Sequence, residues 1–145
     1  SVTMSDKPKP ITVNTTIYWA NLATKNEMSG KYQVDLGNLS EGAVAALQQR
    51  GIDAKIKPPK EDAPEMGQFV TCKSVNPIRA YNTAGDEISE LVGNGSKAKV
   101  ALGYYDWRSP AGKSGRSASI LKLIVTELEV YDSPDSLDMS MEDAL

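Results

Sequence analysis

The chain has 145 residues, 40% of them hydrophobic, 24% charged and 6% aromatic, with one cysteine, no histidine and a formal net charge of −3. That length suits one domain with a single modest core, and no apolar run reaches the roughly 18 residues of a transmembrane helix. The missing histidine excludes Ser-His-Asp and Cys-His catalysis and histidine-based zinc sites, which makes an enzyme the less expected answer. The lone Cys72 excludes an internal disulfide framework and fits a reducing compartment, most simply the cytoplasm.

Residues 1–10 (SVTMSDKPKP) lack the basic-then-apolar layout of a secretory signal and read as a flexible Lys/Pro-rich arm, with Met4 the expected start and residues 1–3 an added scar. ITVNTTIYWANL (11–22), rich in β-branched and aromatic residues, reads as a strand. Past a polar turn ending at Gly30, Tyr32, Val34 and Leu36 alternate with Lys31, Gln33 and Asp35, the period of a half-buried strand. One helix follows, with Ser40 as N-cap, Glu41 in the positive first turn and Gly51 past the end. Its apolar stripe of Ala43, Val44 and Leu47 is narrow, so it must pack against something larger than itself.

KPPKEDAPEMG (57–67) reads as a loop, and QFVTCKSV and IRAYN as further strands before a turn at TAGDE. SKAKVALGYYDW (96–107) and SILKLIVTELEVY (119–131) close the body, joined by RSPAGKSGRSA, a Gly/Ser/Pro-rich basic loop. Several short strands, many turns and one helix predict a mainly β protein, a small barrel or sandwich with the helix as plug or lid.

The charge is unevenly spread. Residues 132–145 hold Asp132, Asp135, Asp138, Glu142 and Asp143 and no cation, a tail of −5 on a body of +2. Within the body, residues 93–123 set six cations against Asp106 alone, a local balance of +5. Such a tail is either a plain solvated segment or one that visits a basic patch, and charge alone leaves both open.

The strand at 97–107 carries the functional argument. One face holds Ala98, Val100, Leu102, Tyr104 and Asp106; the other holds Lys97, Lys99, Ala101, Gly103, Tyr105 and Trp107. Two cations, two rings and small spacers suit a single-stranded nucleic acid: lysines neutralise phosphates, rings stack on unpaired bases, and small residues leave room for a flat ligand. The competing reading tucks Tyr105 and Trp107 under the next loop as core. The loop's Arg108, Lys113 and Arg116 suit a backbone clamp, and one of the adjacent rings Tyr18 and Trp19 faces outward if the first strand is regular. Lys31 on the second strand's polar side, and Phe69 with Lys73 on a third strand, join the DNA-binding candidates; for Phe69 burial is the commoner outcome.

Other signals fail on their own requirements. WRSPAGKS (107–114) ends like a phosphate-binding P-loop but has Trp107 where the first glycine belongs, and no helix follows. Gly93-Asn94-Gly95-Ser96 reads as a turn into a strand. Asp132, Asp135 and Asp138 lack the glycine and closing glutamate of a calcium loop. Cys72 reads as a small core residue.

Gly-Asn-Gly-Ser-Lys-Ala-Lys-Val (93–100) with the Tyr/Trp cluster after it resembles the single-stranded DNA-binding replication proteins of short-tailed coliphages. Tyr32-Gln33-Val34-Asp35-Leu36 before a helix resembles a second segment of theirs, and the long final strand and acidic tail match in kind. The resemblance spans most of 11–145 in order, with 93–107 its most specific part and 31–36 the next. It implies an oligonucleotide-binding (OB) fold: a five-stranded barrel over 11–131 with one helix after the second strand, and a disordered acidic tail at 132–145. The implied function is coating single-stranded DNA during phage replication and recombination in the host cytoplasm, with no cofactor and no metal.

The same resemblance places Lys97, Lys99, Tyr105 and Trp107 in the DNA groove. It also implies a tail (here Asp135, Asp138, Glu142, Asp143 and Leu145) that contacts partners such as polymerase and helicase and competes with DNA, and it allows a homodimer. The chain departs in a shorter region after the helix, a shorter tail, and Leu145 where the family ends in an aromatic residue. The last departure bears on partner docking more than on DNA binding. The alternative is a β-barrel protein-interaction module whose aromatic patch docks another protein; a carboxylate-based hydrolase stands a distant third.

Overall fold

The computed structural model describes residues 9–52 and 56–130; the tail residues named above therefore lie outside the described residues. Along the chain run β1 (Ile11–Asn21), β2 (Tyr32–Gly37), α1 (Glu41–Gln49), β3 (Ile56–Lys57), β4 (Phe69–Ser74), β5 (Ala80–Tyr81), β6 (Ser96–Arg108) and β7 (Ser114–Glu127). The strands form one sheet in the order β3-β4-β2-β1-β6-β7-β5, antiparallel throughout except for the parallel pair of β5 and β7. None of the described helices is long and apolar enough to cross a membrane.

This corrects the expected five-stranded barrel. Seven strands are described and the sheet is open. Two of them, β3 and β5, are two-residue edges: Pro58 and Pro59 stop β3, and the Asn82–Gly85 hydrogen-bonded turn stops β5. The sheet curls until β4 lies beside β7 without hydrogen-bonding to it, which leaves a gap between two strands distant in sequence.

Period-2 alternation builds the concave core. Val13 and Ile17 of β1, Val34 and Leu36 of β2, Val70 and Cys72 of β4, Ala98, Val100 and Leu102 of β6 and Leu123 and Val125 of β7 are all buried together. The α1 helix contributes Ala43 and Leu47, and burying Leu47 alone supplies about 1.5–3 kcal/mol. Its ends are as expected: the Ser40 hydroxyl accepts from the Ala43 N–H at 3.1 Å, and Gly51 takes φ +82° just past the C-terminus.

A second cluster of Tyr18, Ala63, Met66 and Phe69 packs on the opposite face of the sheet beneath the 58–68 segment. Gly37 makes that approach possible, since a Cβ there would lie 2.7 Å from the Met66 carbonyl oxygen and 2.8 Å from the Tyr18 ring. Cys72 is 1% exposed, the core residue its surroundings predicted.

The largest local departure is at residues 108–118. Instead of a flexible loop, β6 and β7 pair as far as Arg108 with Ser114, so the segment is mostly strand closed by a short turn at 109–113. Three side-chain contacts hold the ribbon. The Trp107 ring covers Gly115, where a Cβ would sit 2.5 Å from Trp107 Cζ2. The Trp107 indole N–H donates to Ser117 Oγ at 3.1 Å, and Arg116 grips Asp106 through Nε at 2.6 Å and Nη2 at 3.3 Å. An aromatic ring laid over a strand glycine replaces the packing the glycine lacks.

Candidate nucleic-acid interface

The β6 strand splits its faces as its period predicts: Ala98, Val100 and Leu102 point inward, while Lys97, Lys99 and Tyr105 are exposed. The structure then separates residues that the sequence places together. Lys97 pairs with its cross-strand neighbour Glu127 at 3.6 Å. Lys99 lies opposite Asn14 on the open face of β1 and β6.

Tyr105 takes part in a different constellation. The gap between β4 and β7 forms a cleft of about 530 Å³ whose lining includes Lys31, Lys73, Arg79, Lys122, Tyr81 and Tyr105 and, among the described residues, no carboxylate. Each element delivers its side chain for a local reason. Lys73, at the end of β4, pairs in register with Gln33 and points away from the core beside the buried Cys72. A bulge in β7 leaves Leu121 as the extra residue, since Lys122 pairs with Ala101 and Ile120 with Leu102. The bulge turns Leu121 outward, 58% exposed, onto the cleft wall. Tyr81 of β5 pairs with Ile124, which brings its ring 5.9 Å from the Lys122 ammonium. Arg79 pairs with Glu87 at 3.8 Å, both side chains well exposed.

Lys73 also lines a neighbouring cleft with Lys57, Lys60, Phe69, Thr71 and Asp35. There the Lys60 ammonium lies 5.2 Å from the Phe69 ring centre and the Lys57 ammonium 6.0 Å. Among the described residues the two clefts together carry six cations against Asp35.

The remaining sequence candidates fall elsewhere. Tyr18 and Phe69, expected at the interface, are 6% and 2% exposed, because segment 58–68 covers that side of the sheet. Tyr18 donates its hydroxyl to the Glu65 carbonyl at 3.2 Å. Trp19 is the outward ring of the pair, yet not through a regular strand: it has φ 51° at a break in the β1 register, and its N–H donates to Asn94 Oδ1 at 2.7 Å. It is 50% exposed and borders an apolar cleft with Leu91 and Val92 that shares Ile78 and Arg79 with the β4–β7 cleft and has Glu87 and Glu90 in its own lining.

Arg116 is held in place rather than mobile. Besides Asp106, its Nη1 donates to the Arg50 carbonyl at 2.9 Å, and its guanidinium stacks 4.2 Å from the Tyr104 ring centre. The Arg116 hydrogen bond holds the Asp106 carboxyl below the usual carboxylate range, ahead of the direct charge attraction. Trp107 is half-buried against its own ribbon, while Arg108 and Lys113 are exposed at the ribbon's end.

Sequence reading missed Arg79, Tyr81 and Lys122. The signal was present in part: Arg79 and Tyr81 are two apart in IRAYN, so a strand there puts a cation and a ring on one face. What joins them to Lys31, Lys73 and Tyr105 is the curl of the sheet.

No protein-family model and no curated protein matches the sequence. Solved structures do match by shape. The single-stranded DNA-binding protein from bacteriophage Enc34 aligns with a TM-score of 0.63 at 14% identity, over 92% of this chain and 88% of that one. The same protein in complex with single-stranded DNA aligns at 0.60 over 86% of this chain and 88% of that one, again at 14% identity. The single-stranded DNA-binding protein gp2.5 of bacteriophage T7 aligns at 0.56 with 15% identity, over 91% of this chain and 98% of that one. The resemblance read from residues 93–107 and 31–36 thus agrees with the structural neighbours, and the chain has the fold of these phage single-stranded DNA-binding proteins.

Proposed function

We propose that the chain is a non-catalytic single-stranded DNA-binding protein that coats DNA without strong sequence preference during phage replication and recombination, acting in the host cytoplasm. The observation that carries this reading is the cleft between β4 and β7, where among the described residues four cations and two tyrosines meet with no carboxylate in the lining. Cations along a groove neutralise the backbone, and rings stack on bases of any sequence. The shared fold of two phage proteins named for this activity supports it. Lys31, Lys73, Lys122 and Tyr105 form the centre of the proposed interface, with Arg79 and Tyr81 on its edge. Arg108 and Lys113 extend it at the ribbon's end.

The −5 tail is the natural competitor for such a cleft and the proposed contact for replication proteins such as polymerase and helicase. Titration of the full chain with a thymidine oligonucleotide and a duplex control, at low and high salt, tests the reading. Binding confined to the single strand and weakened by salt is expected; equal binding of duplex refutes it. Deleting residues 132–145 is expected to tighten binding, and unchanged affinity removes the competitor role.

A further inference from the structure

Asp35 is out of place on a surface meant for phosphates. Among the described residues it is the one carboxylate in the lining of the two adjoining basic clefts, and it sits on the cleft floor at 5% exposure. A carboxylate there repels the backbone, so its use must lie elsewhere. Its Oδ1 accepts from the Thr71 hydroxyl at 2.6 Å, and its Oδ2 lies 3.8 Å from the Lys60 ammonium, longer than a hydrogen bond. A carboxylate has about four acceptor positions, so this one keeps capacity to spare.

The Phe69 ring lies beside it on the same sheet face, two residues from Thr71, which pairs with Asp35 in register. Phe69 is 2% exposed and two ammonium groups cover its ring: Lys60, 5.2 Å from the ring centre and 3.8 Å from the carboxylate, and Lys57, 6.0 Å from the ring centre. The Lys60 side chain is 42% exposed, so it can leave without disturbing the core.

Resting on the single-stranded DNA reading above, we propose that this second cleft is a nucleobase subsite. Phe69 offers the ring face that now lies beneath two lysines, Asp35 accepts a hydrogen bond from the exocyclic amino group of an unpaired base, and Lys57 and Lys60 are the movable cover. A strand lying in the first cleft reaches the second over Lys73, which lines both. Its phosphates draw the Lys57 and Lys60 ammonium groups outward and uncover ring and carboxylate. Cytosine, adenine and guanine carry an amino donor for the carboxylate, whereas thymine offers only its ring N–H. The subsite therefore adds a modest base preference, against thymine, to otherwise unselective coating.

The test compares thymidine and cytidine oligodeoxynucleotides of equal length on the full chain and on Asp35→Asn, at about pH 8, well above the carboxylate range. The cytidine-to-thymidine affinity ratio is expected to fall about fivefold in the variant, the difference between a hydrogen bond to a charged acceptor and one to a neutral amide oxygen. Taking the ratio cancels the intrinsic stiffness and self-association of each oligonucleotide. A ratio that Asp35→Asn leaves unchanged, with both oligonucleotides still bound, overturns the subsite and leaves Asp35 as a tether for Lys60 and Thr71. Failure of the wild-type chain to bind either oligonucleotide refutes the parent reading and the subsite with it. Should Asp35→Asn not fold, ultraviolet crosslinking of the wild-type complex with the cytidine oligonucleotide decides: an adduct at Phe69 is expected, and adducts confined to Tyr81 and Tyr105 overturn the proposal.

Discussion

Replacing Lys73 by alanine removes the cation shared by both clefts, whereas Lys97→Ala removes one of equal charge that lines neither and is paired with Glu127. If each cation of the first cleft meets one phosphate, each releases counterions worth a slope of about 0.7 in log affinity against log salt for a single strand. Arg79 is engaged by Glu87 at 3.8 Å, so Lys31, Lys73 and Lys122 are the full contributors. Between about 50 and about 400 mM salt, the loss of one such contact shrinks the affinity gap between wild type and Lys73→Ala about fourfold. Lys97→Ala is expected to keep the wild-type slope. Fluorescence titration with a thymidine oligonucleotide across that salt range measures both. A Lys73→Ala slope equal to wild type, or a Lys97→Ala slope shallower than it, refutes the placement of the backbone in the cleft.

Tyr105, 39% exposed on the cleft wall, is expected to cost about 1–3 kcal/mol of DNA affinity as Tyr105→Ala, the range for one stacked base. Unchanged affinity in a folded variant would return the ring to a packing role. The Cys72 thiol, pushed up to about 12 by burial and then by Asp35, stays protonated and shielded in the fold. It is expected to resist a thiol reagent until the chain unfolds, and because the unfolded thiol ionises near its ordinary value, stability should decline as pH rises above about 9. Fast labelling of the native chain would contradict that. Asp106 behaves with the opposite sign: its lowered value means the ribbon gains from the Arg116 pair above about pH 4 and loses it as pH falls through the lowered value. The Trp107 indole resonance should report that acid transition in the wild type and lose it in Asp106→Asn; an identical titration in both points elsewhere.

Local chemistry made much of the fold legible. The helix was readable because Ser40 and Gly51 act within one turn of its ends, and neither needs a distant partner. The two faces of β6 were readable because a strand's period is a property of its own backbone. The ribbon at 108–118 was not, since its Gly/Ser-rich composition favours a loop until the Trp107 ring and the Asp106–Arg116 pair act across the strands. Tyr18 belongs to the same class: the sheet turns it toward one side, but the proline-rich segment 58–68 that covers it is distant in sequence.

The sequence by itself determined the charge division, the strand and helix periods and the presence of rings among cations. Only the tertiary structure decided which of those groups share a site. Lys31, Lys73, Arg79, Tyr81, Tyr105 and Lys122 come from four strands and two connecting segments, and beyond the Arg79–Tyr81 pair no spacing links them. They meet because the bulged, curled sheet brings β4 beside β7 without pairing them, and the gap between the two strands is the cleft.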